Sequence, residues 1–338
     1  MGEPQPILDP LSRAAIFLVA TIDEGGESTA REVLADLPGL RRSVGFRVPD
    51  AQLSCVTSIG SRAWDRLFGG PKPAELHEFP GFAGPRHEAP ATPGDLLFHI
   101  KGDTPDACFE LAMLIDARLR GAATIVDETV GFRYFEQRDL LGFVDGTENP
   151  EGADAAAAGL IGDEDPEFAG GSYVIVQKYL HDLATWNALS VEEQQRVIGR
   201  TKLDDVELSE RPADCHVEVN TLIDPDGTER RILRANMPFG SVREGEFGTY
   251  YIAYAATPEV TERMLDRMFG GTDEAAHDRI LDFSTAITGT LFFTPPLAFF
   301  DELPDPPEAR GASPEALGDD ASAGDGSLGI GTLKGIQQ

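Results

Sequence analysis

The chain has 338 residues, 41% of them hydrophobic, with 58 acidic against 28 basic side chains and a formal net charge of −30. Such a length and apolar content describe a globular protein with room for two domains, and so large a negative charge argues against nucleic acid or an anionic membrane as a partner. The three cysteines, Cys55, Cys108 and Cys215, are too few and too far apart for a disulfide framework and suit a reducing compartment.

The opening Met1-Gly2-Glu3-Pro4 has neither the basic nor the apolar region of a secretory signal, and no apolar run is long enough to span a membrane, so a cytoplasmic location is expected. Strand patterns at 14–22 and 50–58 alternate with helical patterns at 27–36 and 59–68. Leu96 to Lys101 reads as a strand, followed by Thr104-Pro105 and a helix through Phe109, Leu111, Leu114 and Ile115; another strand pattern covers 122–134. Further along, 171–179 reads as strand and 183–199 as helix. Tyr250 to Tyr254 then reads as strand, leading through Thr257-Pro258 into a helix carrying Val260, Met264, Leu265 and Met268, with a helical stretch at 274–284. The unit strand, Thr-Pro, helix therefore occurs twice, at 94–118 and 248–268, each Thr placed to cap its helix and each Pro suited to the first turn. This repeat predicts an α+β fold of two duplicated ferredoxin-like domains, 1–140 and 141–300, with antiparallel sheets and peripheral helices.

Residues 142–150, Gly-Phe-Val-Asp-Gly-Thr-Glu-Asn-Pro, hold one carboxylate between two glycines in a stretch rich in turn formers. In isolation Asp145 reads better as a turn cap, since Asp is common in turns for local hydrogen-bonding reasons. Downstream come Cys215-His216-Val217-Glu218, a Pro-Asp-Gly turn at 225–227, and then Ile232-Leu233-Arg234-Ala235-Asn236. Of the six histidines, His77 and His87 fall in a loop rich in Pro and Gly, and His99 lies in an alternating strand; no pair has zinc-ligand spacing.

The acid in its GxxDG setting, the histidine and the arginine, in that order, resemble the dye-decolourising peroxidases, most closely their B-type branch, over about residues 10–300. The resemblance implies a haem b enzyme, with haem held mainly by the C-terminal domain, that reduces hydrogen peroxide while oxidising bulky organic donors such as dyes or phenols. It implies His216 as the iron ligand, Asp145 as the acid–base, Arg234 as the cation beside it and Asn236 as a further hydrogen-bonding group. The same resemblance makes Asp278 the partner of the His216 ring, with Asp282 as the alternative, and puts Arg200 on a haem propionate. An imidazole ligand commonly donates its second N–H to a carboxylate. The alternative to the last assignment, which the resemblance disfavours, is that Arg200 and Lys202 simply solvate the end of a helix near Gly199. The alternative functions are a haem carrier or chaperone with incidental peroxidase activity, and a non-catalytic protein of the related superfamily. Trp186, Tyr250, Tyr251 and Tyr254 are candidates for electron relay, and Glu148 for a manganese site.

Past residue 300 the composition changes. Residues 301–325 hold eight acids, one base and four prolines with no aromatic side chain, which predicts an extended linker. Residues 326–338 then read Gly-Ser-Leu-Gly-Ile-Gly-Thr-Leu-Lys-Gly-Ile-Gln-Gln, similar to the cargo-loading peptides that dock enzymes inside encapsulin shells. The resemblance implies Leu328, Ile330 and Leu333 as anchors in a shell groove, an encapsulin nanocompartment as the location, and a homo-oligomeric cargo.

Overall fold

Alternation sets the layers. In strand β1 (Ala14–Ile22), Ala14, Ile16, Leu18 and Ala20 enter one core while Ala15, Phe17 and Val19 enter another, because successive side chains of a strand point to opposite faces. A strand apolar on both faces must be covered on both. The computed structural model describes residues 2–308.

After β1 the chain forms α1 (Glu27–Arg47), β2 (Ser54–Gly60), α2 (Ser61–Leu67), a small hairpin β3 (Phe82–Ala83) and β4 (Glu88–Ala89), β5 (Leu96–Gly102), α3 (Pro105–Leu119) and β6 (Ala123–Phe132). The second half comprises α4 (Gly152–Gly159), β7 (Ser172–His181), α5 (Leu183–Ala188), α6 (Val191–Ile198) and α7 (His216–Asn220). It continues through β8 (Leu222–Ile223), β9 (Glu229–Arg230), β10 (Leu233–Arg234), β11 (Met237–Ser241), β12 (Glu246–Ala255), α8 (Pro258–Gly270), β13 (Ser284–Ala286), β14 (Thr290–Thr294) and α9 (Ala298–Asp301). The main sheet runs β10-β12-β7-β14-β2-β5-β1-β6, with β11 also on β12 and β13 also on β7. Its pairings are antiparallel.

Both halves follow one plan. The first strand lies between the third and fourth, and the second strand borders the third: β2-β5-β1-β6 in one half, β10-β12-β7-β14 in the other. This is the duplicated ferredoxin-like arrangement, and β14 joins the halves by pairing Phe292 with Gly60 and Phe293 with Ile59 across to β2. The sheet curls over an inner core in which Phe17 of β1 stacks on Tyr250 of β12, centroids 4.0 Å apart. Among the described residues no helix is long and apolar enough to cross a membrane.

Several boundaries differ from the sequence pattern. Helix α1 continues through Pro38 to Arg47 because Val33, Leu34, Leu37 and Val44 keep one face on the core. The strand expected at 50–58 begins only at Ser54, since Pro49–Ala51 make a 3₁₀ turn. The stretch 183–199 is two helices, each with its own cap: Asp182 accepts from the Thr185 N–H and Ser190 from the Glu193 N–H. The helix expected at 274–284 is absent; one 3₁₀ turn, Arg279–Asp282, leads into β13, whose pairing with β7 overrides helical propensity. Thr257 caps α8 as expected, whereas Thr104 makes no side-chain cap. The first residues of the expected linker stay on the folded body: Leu303 packs against the core and the Asp305 carbonyl accepts from Gly69 N at 2.7 Å. The expected docking residues Leu328, Ile330 and Leu333 lie outside the described residues.

Candidate active site

The segment carrying Asp145 is tied down residue by residue. Gly142 takes φ of +91°, a backbone conformation strained for any side chain, and a Cβ there would also displace the Lys202 Cε 2.5 Å away, so position 142 favours glycine. Phe143 is buried with Leu141, Trp186, Val197, Ile198 and Phe283, and the Trp186 indole donates to the Leu141 carbonyl at 2.9 Å. The Asp139 carboxylate accepts from Phe143 N at 3.0 Å, and Arg138 donates to the carbonyls of Gly142 and Lys202. Burial pushes the Asp139 carboxyl up to about 7, and the neighbouring Asp145 adds to the rise. Lys202, unassigned from sequence, lies over the Phe143 ring and donates to Gln194 Oε1 at 2.6 Å.

Two strands bring the next groups to this loop. Asn149, four residues after Asp145, makes a reciprocal clamp on Arg234: its Oδ1 accepts from Arg234 N at 3.0 Å and its Nδ2 donates to Arg234 O at 2.7 Å. Asn236 accepts from Ile252 N at 3.0 Å through Oδ1 and donates to Asp145 Oδ1 at 3.3 Å through Nδ2. The amide thus couples the acid to strand β12. Arg234 Nε is buried with no hydrogen-bond partner, and a buried guanidinium donor left free is costly unless a ligand or solvent meets it.

His216 opens α7, and its Nδ1 lies 2.7 Å from Oδ2 of the fully buried Asp278. A carboxylate oxygen there accepts the Nδ1 proton, which leaves the Nε2 lone pair for a ligand. Asn220 Nδ2 donates to the same Asp278 oxygen at 3.1 Å, and Asp278 Oδ1 accepts from Ile280 N. The alternative partner, Asp282, instead faces His87 and His277.

His216, Asp145, Arg234 and Asn236 line one cavity of about 420 Å³ whose apolar walls include Ile198, Ile232, Met264 and Met268. Arg200 lines it too, with its guanidinium already engaged by Glu148 at 2.6 Å, Asp205 at 2.8 Å and Glu207 at 3.3 Å. Arg211, Arg230 and Arg231 also reach this cavity. His181 lies on the wall between Ser284 and Thr249, and burial drives its imidazole down to about 4.

Residues 4–133 match the family described as Dyp-type peroxidase, N-terminal, and residues 136–299 the one described as Dyp-type peroxidase, C-terminal. The chain belongs to the dye-decolourising peroxidase family. A dye-decolorizing peroxidase of Mycolicibacterium paratuberculosis is 59% identical over 336 residues, 98% of this chain and 93% of that protein. The cryo-EM structure of the encapsulated DyP-type peroxidase from Mycobacterium smegmatis superposes with a TM-score of 0.89 at 63% identity, covering 91% of this chain and 100% of that one. A variant of DypB from Rhodococcus jostii in complex with heme superposes with a TM-score of 0.86 at 55% identity, covering 88% and 98%.

For this peroxidase, sequence reasoning missed the Asn149 clamp, the three further arginines and the support given by Trp186, Lys202 and Asn220. Asn149 alone had a visible signal, an Asn-Pro step closing the acid's own turn. Of the proposed relay residues, Trp186 and Tyr250 are fully buried in packing, and Tyr254 hydrogen-bonds His99 Nδ1 at 3.0 Å. Tyr251 lines the cavity.

Proposed function

We propose that this peroxidase holds haem b in the 420 Å³ cavity, with His216 as iron ligand. The observation that carries the reading is the His216–Asp278 pair: the buried carboxylate fixes the ring through Nδ1 and frees Nε2 for a metal. The cavity fits such a group in two further respects. Its walls are largely apolar, as a porphyrin face requires, and the partnerless Nε of Arg234 supplies a donor awaiting an acceptor. Bound there, haem supplies a redox-active iron with an open coordination position for peroxide.

The chain's own residues do the rest. Asp145 accepts the proton that hydrogen peroxide gives up and returns it to the departing oxygen, which leaves as water. Asn236 holds the carboxylate through Oδ1, so that proton transfer starts from one orientation. Arg234 places positive charge where negative charge develops as the O–O bond breaks. Arg200 is the proposed propionate residue, and its Nη1, now paired with Glu148 and Glu207, would have to release one of them to hold a propionate. Bulky organic donors, dyes or phenols among them, then return the electrons.

The proposed setting is the cytoplasm, as a homo-oligomeric cargo inside an encapsulin shell addressed through residues 326–338. What supports it is the spacing of Leu328, Ile330 and Leu333 behind an acidic tether, together with the similarity to an encapsulated relative. The domain limits proposed are 1–140 and 141–300. The test is an absorption spectrum of the haem-reconstituted chain before and after hydrogen peroxide: a Soret band that shifts on peroxide and returns on adding a dye supports peroxidase turnover. A band that never responds favours a carrier.

A further inference from the structure

Outside the cavity, three metal-ligating side chains converge where the two halves of the chain meet. His87 Nε2 lies 3.1 Å and His277 Nε2 2.9 Å from the same atom, Oδ1 of Asp282, and all three donor atoms lie within 4.8 Å of one another. Neighbouring donors around a tetrahedral ion with bonds of roughly 2.0–2.1 Å sit about 3.3 Å apart, so two of the three edges are already close to that value. His277 is 9% exposed, while His87 and Asp282 are 24% and 32% exposed, leaving one side open for water as a fourth ligand.

The backbone around these residues is built to hold them. His87 sits in the β3–β4 hairpin, whose turn closes through Gly84 N donating to the His87 carbonyl at 2.9 Å. A Cβ on Gly84 would strike the Phe269 carbonyl at 1.7 Å, so the hairpin rests directly on the end of α8. His277 lies two residues before the 3₁₀ turn that follows α8, and Asp282 is the last residue of that turn. Between them lies Asp278, which accepts from both His216 and its own turn.

The geometry points to a second metal site, in which His87, His277 and Asp282 bind one zinc-class divalent cation through two imidazoles and a carboxylate. Two imidazoles with one carboxylate suit zinc rather than calcium or magnesium, which prefer all-oxygen shells. The ion links positions 195 residues apart and stiffens the segment 277–282 that carries Asp278. It thereby steadies the partner of His216 without touching the cavity.

The experiment uses the full-length, haem-loaded protein, in which His216 is engaged, stripped of loose metal by a chelator and titrated calorimetrically with zinc chloride. One tight equivalent per chain is expected in the wild type. Loss of an outer partner of a ligand already costs 10–100-fold in affinity, so His277→Ala and Asp282→Asn should each weaken this site by roughly 100-fold or more. His87→Gln, on the surface hairpin, keeps the test valid if His277→Ala fails to fold. Zinc should also slow hydrogen exchange at 82–91 and 271–283. Absence of a stoichiometric equivalent, or identical zinc isotherms for wild type and His87→Gln, overturns the proposal and leaves a hydrogen-bonded His-Asp-His cluster.

Discussion

Burial marks Arg234 and Asp139 in different ways. Arg234 keeps a buried Nε without a partner, a cost that makes sense if its charge is spent on a reacting peroxide. Arg234→Leu should leave the Soret band in place while slowing the peroxide reaction by on the order of 100-fold. Stopped-flow mixing with hydrogen peroxide measures this, and a wild-type rate would remove Arg234 from the chemistry. Asp139 carries a different signature, because burial raises its carboxyl from 3.8 to about 7. Between about pH 4 and pH 7 the folded chain therefore holds a proton that the unfolded chain has released, and stability falls as pH rises through that window. The change converts to at most roughly 4 kcal/mol. Asp139→Asn keeps an oxygen for Phe143 N and deletes the charge, so its thermal midpoint should exceed the wild type's at pH 8 and lose most of that advantage by pH 5. Parallel shifts at both pH values would refute the assignment.

At the scale of elements, the site exists because a turn and a strand are stitched together by the chain's own groups. The two hydrogen bonds from Asn149 to the Arg234 backbone fix the acid's loop against β10. Asn149→Ala leaves one buried N–H and one carbonyl unmet, costing roughly 1–3 kcal/mol. It should lower the thermal midpoint and slow the peroxide step, although residue 149 is not proposed to touch peroxide. Thermal unfolding and stopped-flow traces on one preparation check both effects, and a variant slowed in neither discards the clamp. This stitching also marks where reading the sequence stops. The duplicated unit was legible because alternation and the Thr-Pro step are local, and Asp145, His216 and Arg234 were legible because their local settings resemble a known family. The helix expected at 274–284 failed because long-range pairing of β13 with β7 decides that segment. The pairing of Glu148 with Arg200 was equally invisible: the two are 52 residues apart and meet only in the fold.

On the scale of the whole molecule, the sheet shared by the two halves builds the body, and the tail beyond residue 308 is proposed to serve a separate end. Joining β14 to β2 removes one exposed edge from each half, and the curled sheet buries Phe17 on Tyr250 between them. The four residues proposed to act in the cavity, His216, Asp145, Arg234 and Asn236, all come from strands, turns and helices of this body. Deleting residues 326–338 should then leave the Soret band, thermal midpoint and dye oxidation unchanged while abolishing loading into a co-expressed encapsulin shell. With the chain described up to residue 308, the remaining tether, 309–325, has a root-mean-square reach of roughly 20–25 Å if it behaves as a flexible coil, enough for the body to stand off the shell wall. An oligomeric cargo would present several such peptides and gain avidity. The measurement is haem absorbance across the shell peak in size-exclusion chromatography. If the truncated chain co-elutes with shells as fully as the intact one does, the address lies on the folded body instead, and the acidic stretch before it has no tethering role to perform.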